Sequence, residues 1–211
     1  MKDLVVLVAD KDMEMTLTGL LMRPQSLNIR NISFDVFSHP QRDPGVRTNA
    51  HEFLRPLSQG YRRALVLFDR EGCGADDLSV EEIAQEVQDK LENAGWHGRC
   101  AVVVIDPEME IWVFAKSRLV AEIIAGGDAE SLQAIWQKYS VAGELKPQKP
   151  KEAMEEVLRQ KRIPRSSSLF RQLAERVSLR DCTDRSFVRL REVLKKWFPS
   201  EARAMNDVEA S

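Results

Sequence analysis

The chain has 211 residues, of which 43% are apolar and 30% are charged, as in an ordinary globular protein with a sizeable core. Its 31 basic and 33 acidic residues leave a net charge of −2, so the overall charge gives no sign of a nucleic-acid binder. Three cysteines without a CxxC pair argue against a disulfide framework or a zinc finger and suit a reducing cytoplasm.

The first apolar run, LVVLVA at residues 4–9, predicts a buried strand and leads directly into acidic residues. It is too short for a signal peptide or a membrane span, so we expect a cytoplasmic protein that does not enter membranes. Residues 12–23 have helical spacing, and the alternation from Ile32 to Val36 predicts a second strand. Residues 38–49 are rich in turn formers and are interpreted as a loop.

A short helix is predicted for 50–60, and the apolar run 64–68 predicts another buried strand. Ser79 and Glu82 form a capping-box pattern, and the helix that they begin should end at Gly95. The run CAVVVI at 100–105 predicts a further buried strand, after which Pro107 begins a helix or turn.

The part of the chain after residue 125 differs in character because it has no further β-rich run. A linker rich in lysine and proline (ELKPQKPK, 144–151) precedes amphipathic helices. We therefore expect an α/β domain in 1–125, a helical extension in 126–199 and a flexible tail in 200–211. Alternating strands and helices predict an α/β fold with a mostly parallel sheet, helices on both faces and a C-terminal helical segment.

Acidic residues follow each of the three buried strands. Parallel strands end at the same edge of a sheet, where ligands of α/β proteins bind, so these carboxylates should converge. Clustered carboxylates are the hard oxygen ligands that Mg²⁺ and Mn²⁺ prefer. The alternative is that they cap helices or lie in solvated turns. The acidic residues are Asp10, Asp12 and Glu14 after the first strand, Asp69 and Glu71 after the second, and Asp106, Glu108 and Glu110 after the third.

Other motifs are weaker. Gly72-Cys73-Gly74 lacks the rest of a phosphate-binding loop, and no histidine is placed by sequence to activate Cys73. The three histidines lack metal-site spacing. Two basic stretches with interleaved aromatics, 161–176 and 186–197, fit either solvated amphipathic helices or a nucleic-acid surface.

The strand ends VLVADKDME (6–14) and VLFDREG (66–72) resemble the Toprim pattern, which has a glutamate after the first strand and Asp-x-Asp after a later one. This fold, Rossmann-like in arrangement, occurs in topoisomerases, primases and nucleases of the overcoming-lysogenization-defect family. DPEMEIWVFA (106–115) and CTDRSFVRLREVL (182–194) are similar to stretches of compact Toprim-related bacterial proteins, some encoded in anti-phage defence loci beside an ATPase. The chain departs from the pattern because Asp10 or a shifted Glu14 replaces the first glutamate, and Glu71 replaces the second aspartate.

The resemblance implies a Mg²⁺- or Mn²⁺-dependent protein that cleaves, or helps to cleave, nucleic acid beside a partner ATPase. It assigns Asp10, Asp69 and Glu71 as metal ligands, with Asp10 or Glu14 positioning or deprotonating the attacking water. The alternative that it leaves open is a non-catalytic, degenerate module that docks or senses the ATPase.

Overall fold

The computed structural model describes residues 1–114, 117–141, 146–179 and 182–200. The flexible tail expected for 200–211 therefore lies, apart from Ser200, outside the described residues. The strands are β1 (Lys2–Val8), β2 (Phe34–Ser38), β3 (Tyr61–Asp69) and β4 (Cys100–Ile105). The α-helices of the described part are α1 (Lys11–Leu21), α2 (Pro24–Leu27), α3 (Arg42–Leu54), α4 (Val80–Leu91), α5 (Arg118–Ile124), α6 (Ala129–Tyr139), α7 (Pro150–Lys161), α8 (Ser167–Arg176) and α9 (Arg185–Trp197).

The four strands form one sheet in the order β2-β1-β3-β4, and all neighbouring pairs are parallel. The predicted α/β fold is thus confirmed. The interiors of β1, β3 and β4 are apolar because helices cover both faces of the sheet, whereas the edge strand β2 is half-buried and carries Asp35.

The direction of each strand connection determines the face on which its helix lies. The chain moves from β1 to β2 through α1 in one direction across the sheet, and from β3 to β4 through α4 in the opposite direction. Because such connections are right-handed, α1 and α4 lie on opposite faces. Helix α3 packs beside α4, whereas α8 packs on α1. Helix α9 packs on β4 and contacts α2, which follows α1, so it covers the α1 face.

The loop expected at 38–49 is wrong, because α3 already begins at Arg42. The turn formers serve the start of this helix. Pro44 is tolerated in the first helical turn, and Gly45 packs directly on His39, whose Nδ1 would lie 2.3 Å from a Cβ at that position. Val46, Ala50 and Leu54 form a buried stripe that anchors this helix to the core, although its other residues are mostly polar.

Two boundaries agree with their sequence signals. Ser79 caps α4 in a full capping box with Glu82, as predicted. The regular helix ends at Leu91, and the following turn reverses at Gly95, whose φ of 95° favours glycine. The segment after Pro107 is a short 3-10 turn, Met109–Trp112.

The C-terminal helices pack closely on the sheet domain. A Cβ at Gly19 of α1 would lie 2.8 Å from the Cβ of Ala174 in α8, so these helices touch almost backbone to backbone. Arg23 donates to the carbonyl oxygens of Ala174 and Val177, at 2.7 and 3.1 Å. The apolar core runs continuously through both parts. The division near residue 125 stays a prediction. Within the described ranges, no helix is long and apolar enough to cross a bilayer.

Candidate functional site

Asp10 and Asp69 lie at the same edge of the sheet. Val8 of β1 pairs with Leu67 of β3, so the two aspartates follow neighbouring strands at matching positions. The connections leave β1 and β3 in opposite directions, towards β2 and β4, so this is the switch point of the sheet. Open α/β sheets bind their ligands at such a point.

Asp43 is a third carboxylate of this edge, and the sequence analysis missed it. It lies in the first turn of α3, and its Oδ1 accepts a 2.8 Å hydrogen bond from the backbone N–H of Asp69. Asp69 in turn accepts from the N–H of Met109 through Oδ1, at 2.9 Å. The only sequence signal for Asp43 was its position before Pro44, because an aspartate before a proline is common at the start of a helix.

The environment of Asp69 disfavours its charged form. Desolvation raises the pKa of this carboxyl well above its ordinary value, and the negative charges of Asp43, Glu110, Glu108 and Asp10 raise it further. Burial likewise raises the pKa of Asp43, with a smaller contribution from Asp10. The carboxylates therefore gather closely enough to repel one another.

Two cations from the C-terminal segment face this cluster. Lys151 Nζ lies 3.0 Å from Glu108 Oε1, and Arg165 NH2 lies 2.8 Å from Glu110 Oε1. Burial nevertheless raises the pKa of Glu108 and brings that of Glu110 to about 7, because desolvation outweighs the attraction of each cation. Neither cation was predicted, since their lysine- and arginine-rich surroundings look like ordinary solvated helix faces.

Arg165 joins three separate elements. It also contacts Asp12 of α1 at 3.0 Å and Glu155 of α7 at 2.8 Å, and its guanidinium lies 5.3 Å from the ring centre of Phe170. A planar guanidinium has enough donors for all three carboxylates. The helical segment thereby closes one side of the sheet edge that holds Asp10, Asp43 and Asp69 (the acidic edge).

The four predicted site residues differ in their placement. Asp10 belongs to the cluster, but it also caps α1 by accepting from the N–H of Met13 at 2.9 Å. Glu14 lies one turn into α1, where its carboxylate contacts Lys11. Glu71 is exposed just beyond β3, near enough to Glu108 to raise the pKa of that residue. The structure thus brings Asp10 and Asp69 together with Asp43, not with Glu14.

Among the described residues, no three histidine, cysteine, aspartate or glutamate side chains are arranged to hold a metal ion. Mg²⁺ often uses only one or two protein carboxylates, however, with water and substrate phosphate as its other ligands. Burial and, to a smaller extent, neighbouring negative charges raise the pKa values of Asp43 and Asp69, and a bound divalent cation would offset both effects. This donor set fits such an ion.

The other candidates have structural environments. Cys73 is buried, and burial raises the pKa of its thiol, which disfavours the nucleophilic thiolate. Burial lowers the pKa of His39, whose Nδ1 accepts from the N–H of Gln41. The aromatic residue of α9 nearest its start, Phe187, faces the core.

Comparisons with known protein families, with curated proteins and with solved structures give no match for this chain. The Toprim resemblance therefore stays a prediction that depends on the short motifs and on the placement of their residues.

Proposed function

We propose that this chain is a Toprim-like cytoplasmic protein that binds Mg²⁺ or Mn²⁺ at its acidic edge and cleaves, or helps to cleave, nucleic-acid phosphodiesters in an anti-phage defence complex. The observation that carries the proposal is the pairing of Asp10 and Asp69 at the switch point, with Asp43 beside them. The partner implied by the resemblance is an ATPase.

Asp69 and Asp10 would hold the cation, with Asp43 as a third donor and Glu71 reaching it from the exposed rim. A divalent ion in such a site neutralises charge on a phosphate and lowers the pKa of bound water. Lys151 and Arg165 hold Glu108 and Glu110 in place and limit the net negative charge that a phosphate would meet. Glu110, with a pKa of about 7, exchanges its proton near neutral pH, which suits a proton carrier.

A non-catalytic module that docks or senses an ATPase is the second candidate. It is favoured by the ion pair of Glu14 with Lys11 and by the lack of a preformed three-ligand group within the described residues. With these two features the chain could bind a cation without catalysing cleavage. One or two carboxylates suffice to hold the ion, but they do not suffice to position an attacking water as well.

The deciding experiment combines calorimetric titration of Mn²⁺ with nicking of supercoiled plasmid and of tRNA by the purified chain. Asp69→Asn removes the central carboxylate, and Asp77→Asn, at an exposed loop position, is the matched control. Metal-dependent nicking that is lost only in Asp69→Asn supports the nuclease. Metal binding without cleavage of either substrate supports the docking module, and no metal binding by the parent contradicts the metal-dependent nuclease.

A further inference from the structure

Strand β4 has an open edge. Within the described ranges it pairs only with β3. The carbonyl oxygens of Arg99 and Ile105 accept from N–H groups of the β3 side, at 2.9 and 2.7 Å. Because backbone direction alternates along a strand, the N–H and C=O groups of Val102 and Val104 point away from β3.

A groove of about 790 Å³ runs along this open edge. Val102, Val103 and Val104 line its floor. Val80, Ala84 and Gln85 of α4 line one wall, and Arg185, Ser186 and Arg189 of α9 line the other. Gln88 of α4 closes the end of the groove near Cys100, where its Nε2 donates a 3.2 Å hydrogen bond to the carbonyl oxygen of Cys100.

The α9 wall carries positive charge that no described residue neutralises. Arg185 and Arg189 are exposed, and neither forms an ion pair with another described residue. The other charges of the groove are placed differently: Arg70 lies 3.7 Å from Asp106, Asp184 caps α9, and Glu81 lies on the opposite, α4 wall. The α9 wall therefore offers an incoming carboxylate two guanidinium groups that are unpaired within the described residues.

The depth of the edge limits what fits there. Although β4 is the last strand of the sheet, its residues are at most 8% exposed, because α4 and α9 overhang it. A second copy would bring its own helices on both faces of its sheet, and these would collide with the overhang. A single extended chain is thin enough to reach the backbone groups of Val102 and Val104.

We propose that this groove binds an extended acidic peptide segment of a partner protein, which adds to the sheet as a fifth strand beside β4. Alternate side chains of a strand point to opposite faces. One set would meet Arg185 and Arg189, which select carboxylates, and the other set would meet Val80 and Ala84, which select small apolar side chains. The groove reaches the acidic edge only at Arg70 and Asp106, and none of Asp10, Asp43 and Asp69 lines it, so the inference goes beyond the proposed function.

The test uses a fluorescein-labelled eight-residue peptide of alternating glutamate and valine, with fluorescence anisotropy as the readout. The double variant Arg185→Glu/Arg189→Glu should weaken binding about ten-fold or more and should favour the lysine–valine peptide instead. Arg62→Glu, at an exposed position at the far end of β3, is the matched control and should bind like the parent. Methylation of alternate peptide nitrogens should abolish binding, because it removes the donors of the ladder.

Amide hydrogen exchange identifies the strand that is paired. Bound peptide should slow exchange at Val102 and Val104, while Val103, which faces β3, should change little. Equal binding of the glutamate and lysine peptides, or unchanged exchange at Val102 and Val104, would overturn the proposal. The proposal would also be overturned if the chain did not bind the peptide and instead formed a dimer, as measured by light scattering. Binding of a single-stranded oligonucleotide through the same two arginines, without peptide binding, would overturn it as well.

Discussion

The backbone N–H of Asp69 and the Oδ1 of Asp43 form a 2.8 Å hydrogen bond that ties the end of β3 to the first turn of α3. The bond holds two carboxyl groups close together, although the charge of Asp43 adds to the burial that raises the pKa of Asp69. A cation bound between these groups would reduce the repulsion between them.

Asp69→Asn should leave the metal-free protein at least as stable as the parent, because the amide oxygen can still accept from Met109 while the repulsion is lost. Millimolar Mg²⁺ or Mn²⁺ should raise the melting temperature of the parent, since a ligand bound only by the native state stabilises it. The variant should respond little. Differential scanning fluorimetry with and without metal checks both statements, and equal responses in parent and variant would refute the metal site.

Asp10→Ala distinguishes a metal ligand from a helix cap. The cap of α1 is lost in this variant, so the free energy of unfolding should fall by about 1 kcal/mol with or without metal. If Asp10 also binds the cation, the metal-induced gain should shrink as well. Asp10→Asn, which keeps a capping oxygen, is the control: it should retain the metal-free stability and still lose part of the response.

Glu110 should make stability depend on pH in the direction opposite to an ordinary ion pair. Its pKa rises from 4.5 to about 7 on folding, so the folded state binds the proton more tightly than the unfolded state. Its contribution therefore falls as the pH rises from about 4.5 to 7, by an amount on the order of 3 kcal/mol. Glu110→Gln should remove this slope, so its stability relative to the parent should improve with rising pH. Urea unfolding between pH 4 and 8 tests this, and parallel profiles would contradict it.

Much of the sheet was predictable because its signals are local. Each of the three runs LVVLVA, ALVLF and CAVVVI is short, apolar and followed by acid, and parallel connections follow from the intervening helices. Hence Asp10 and Asp69 could be assigned to one edge from the amino-acid sequence alone. Glu14 could not be separated from Asp10, because its contact with Lys11 depends on side-chain geometry.

The rest of the site depends on long-range contacts. Asp43 enters it only because α3 begins inside a stretch whose proline and glycine suggested a loop. Arg165 reaches Glu110 across 55 residues of sequence, and no local pattern encodes such a distance. Periodicity describes a helix face, but it does not say which element covers that face.

Asp3 should stabilise the protein at neutral pH and lose that effect in acid. Arg30 NH2 lies 2.8 Å from its Oδ1 and, with the N–H of Ser33, holds the pKa of this carboxyl well below its usual range. The stabilisation is thus complete above the unfolded pKa near 4 and disappears as the pH falls further. Asp3→Asn should cost about 1 kcal/mol at pH 7, and the two unfolding curves should converge towards pH 2. A constant difference would contradict the assignment.

Gly19→Val tests whether the helical segment stabilises the sheet domain. The new side chain would meet Ala174 Cβ at 2.8 Å and the carbonyl oxygen of Arg171 at 3.2 Å, so α8 must move away from α1. Valine is no worse than glycine within a helix, so a loss of about 1–3 kcal/mol in unfolding free energy would report the packing alone. Gly60→Val is the control, because its nearest neighbour would be a carbonyl oxygen at 3.5 Å. Proteinase K, which does not require lysine or arginine, should cut Gly19→Val faster than the control within 144–151. If instead α8 detaches while the unfolding midpoint of the remaining protein is unchanged, residues 1–125 fold on their own and the helical extension is a separate domain.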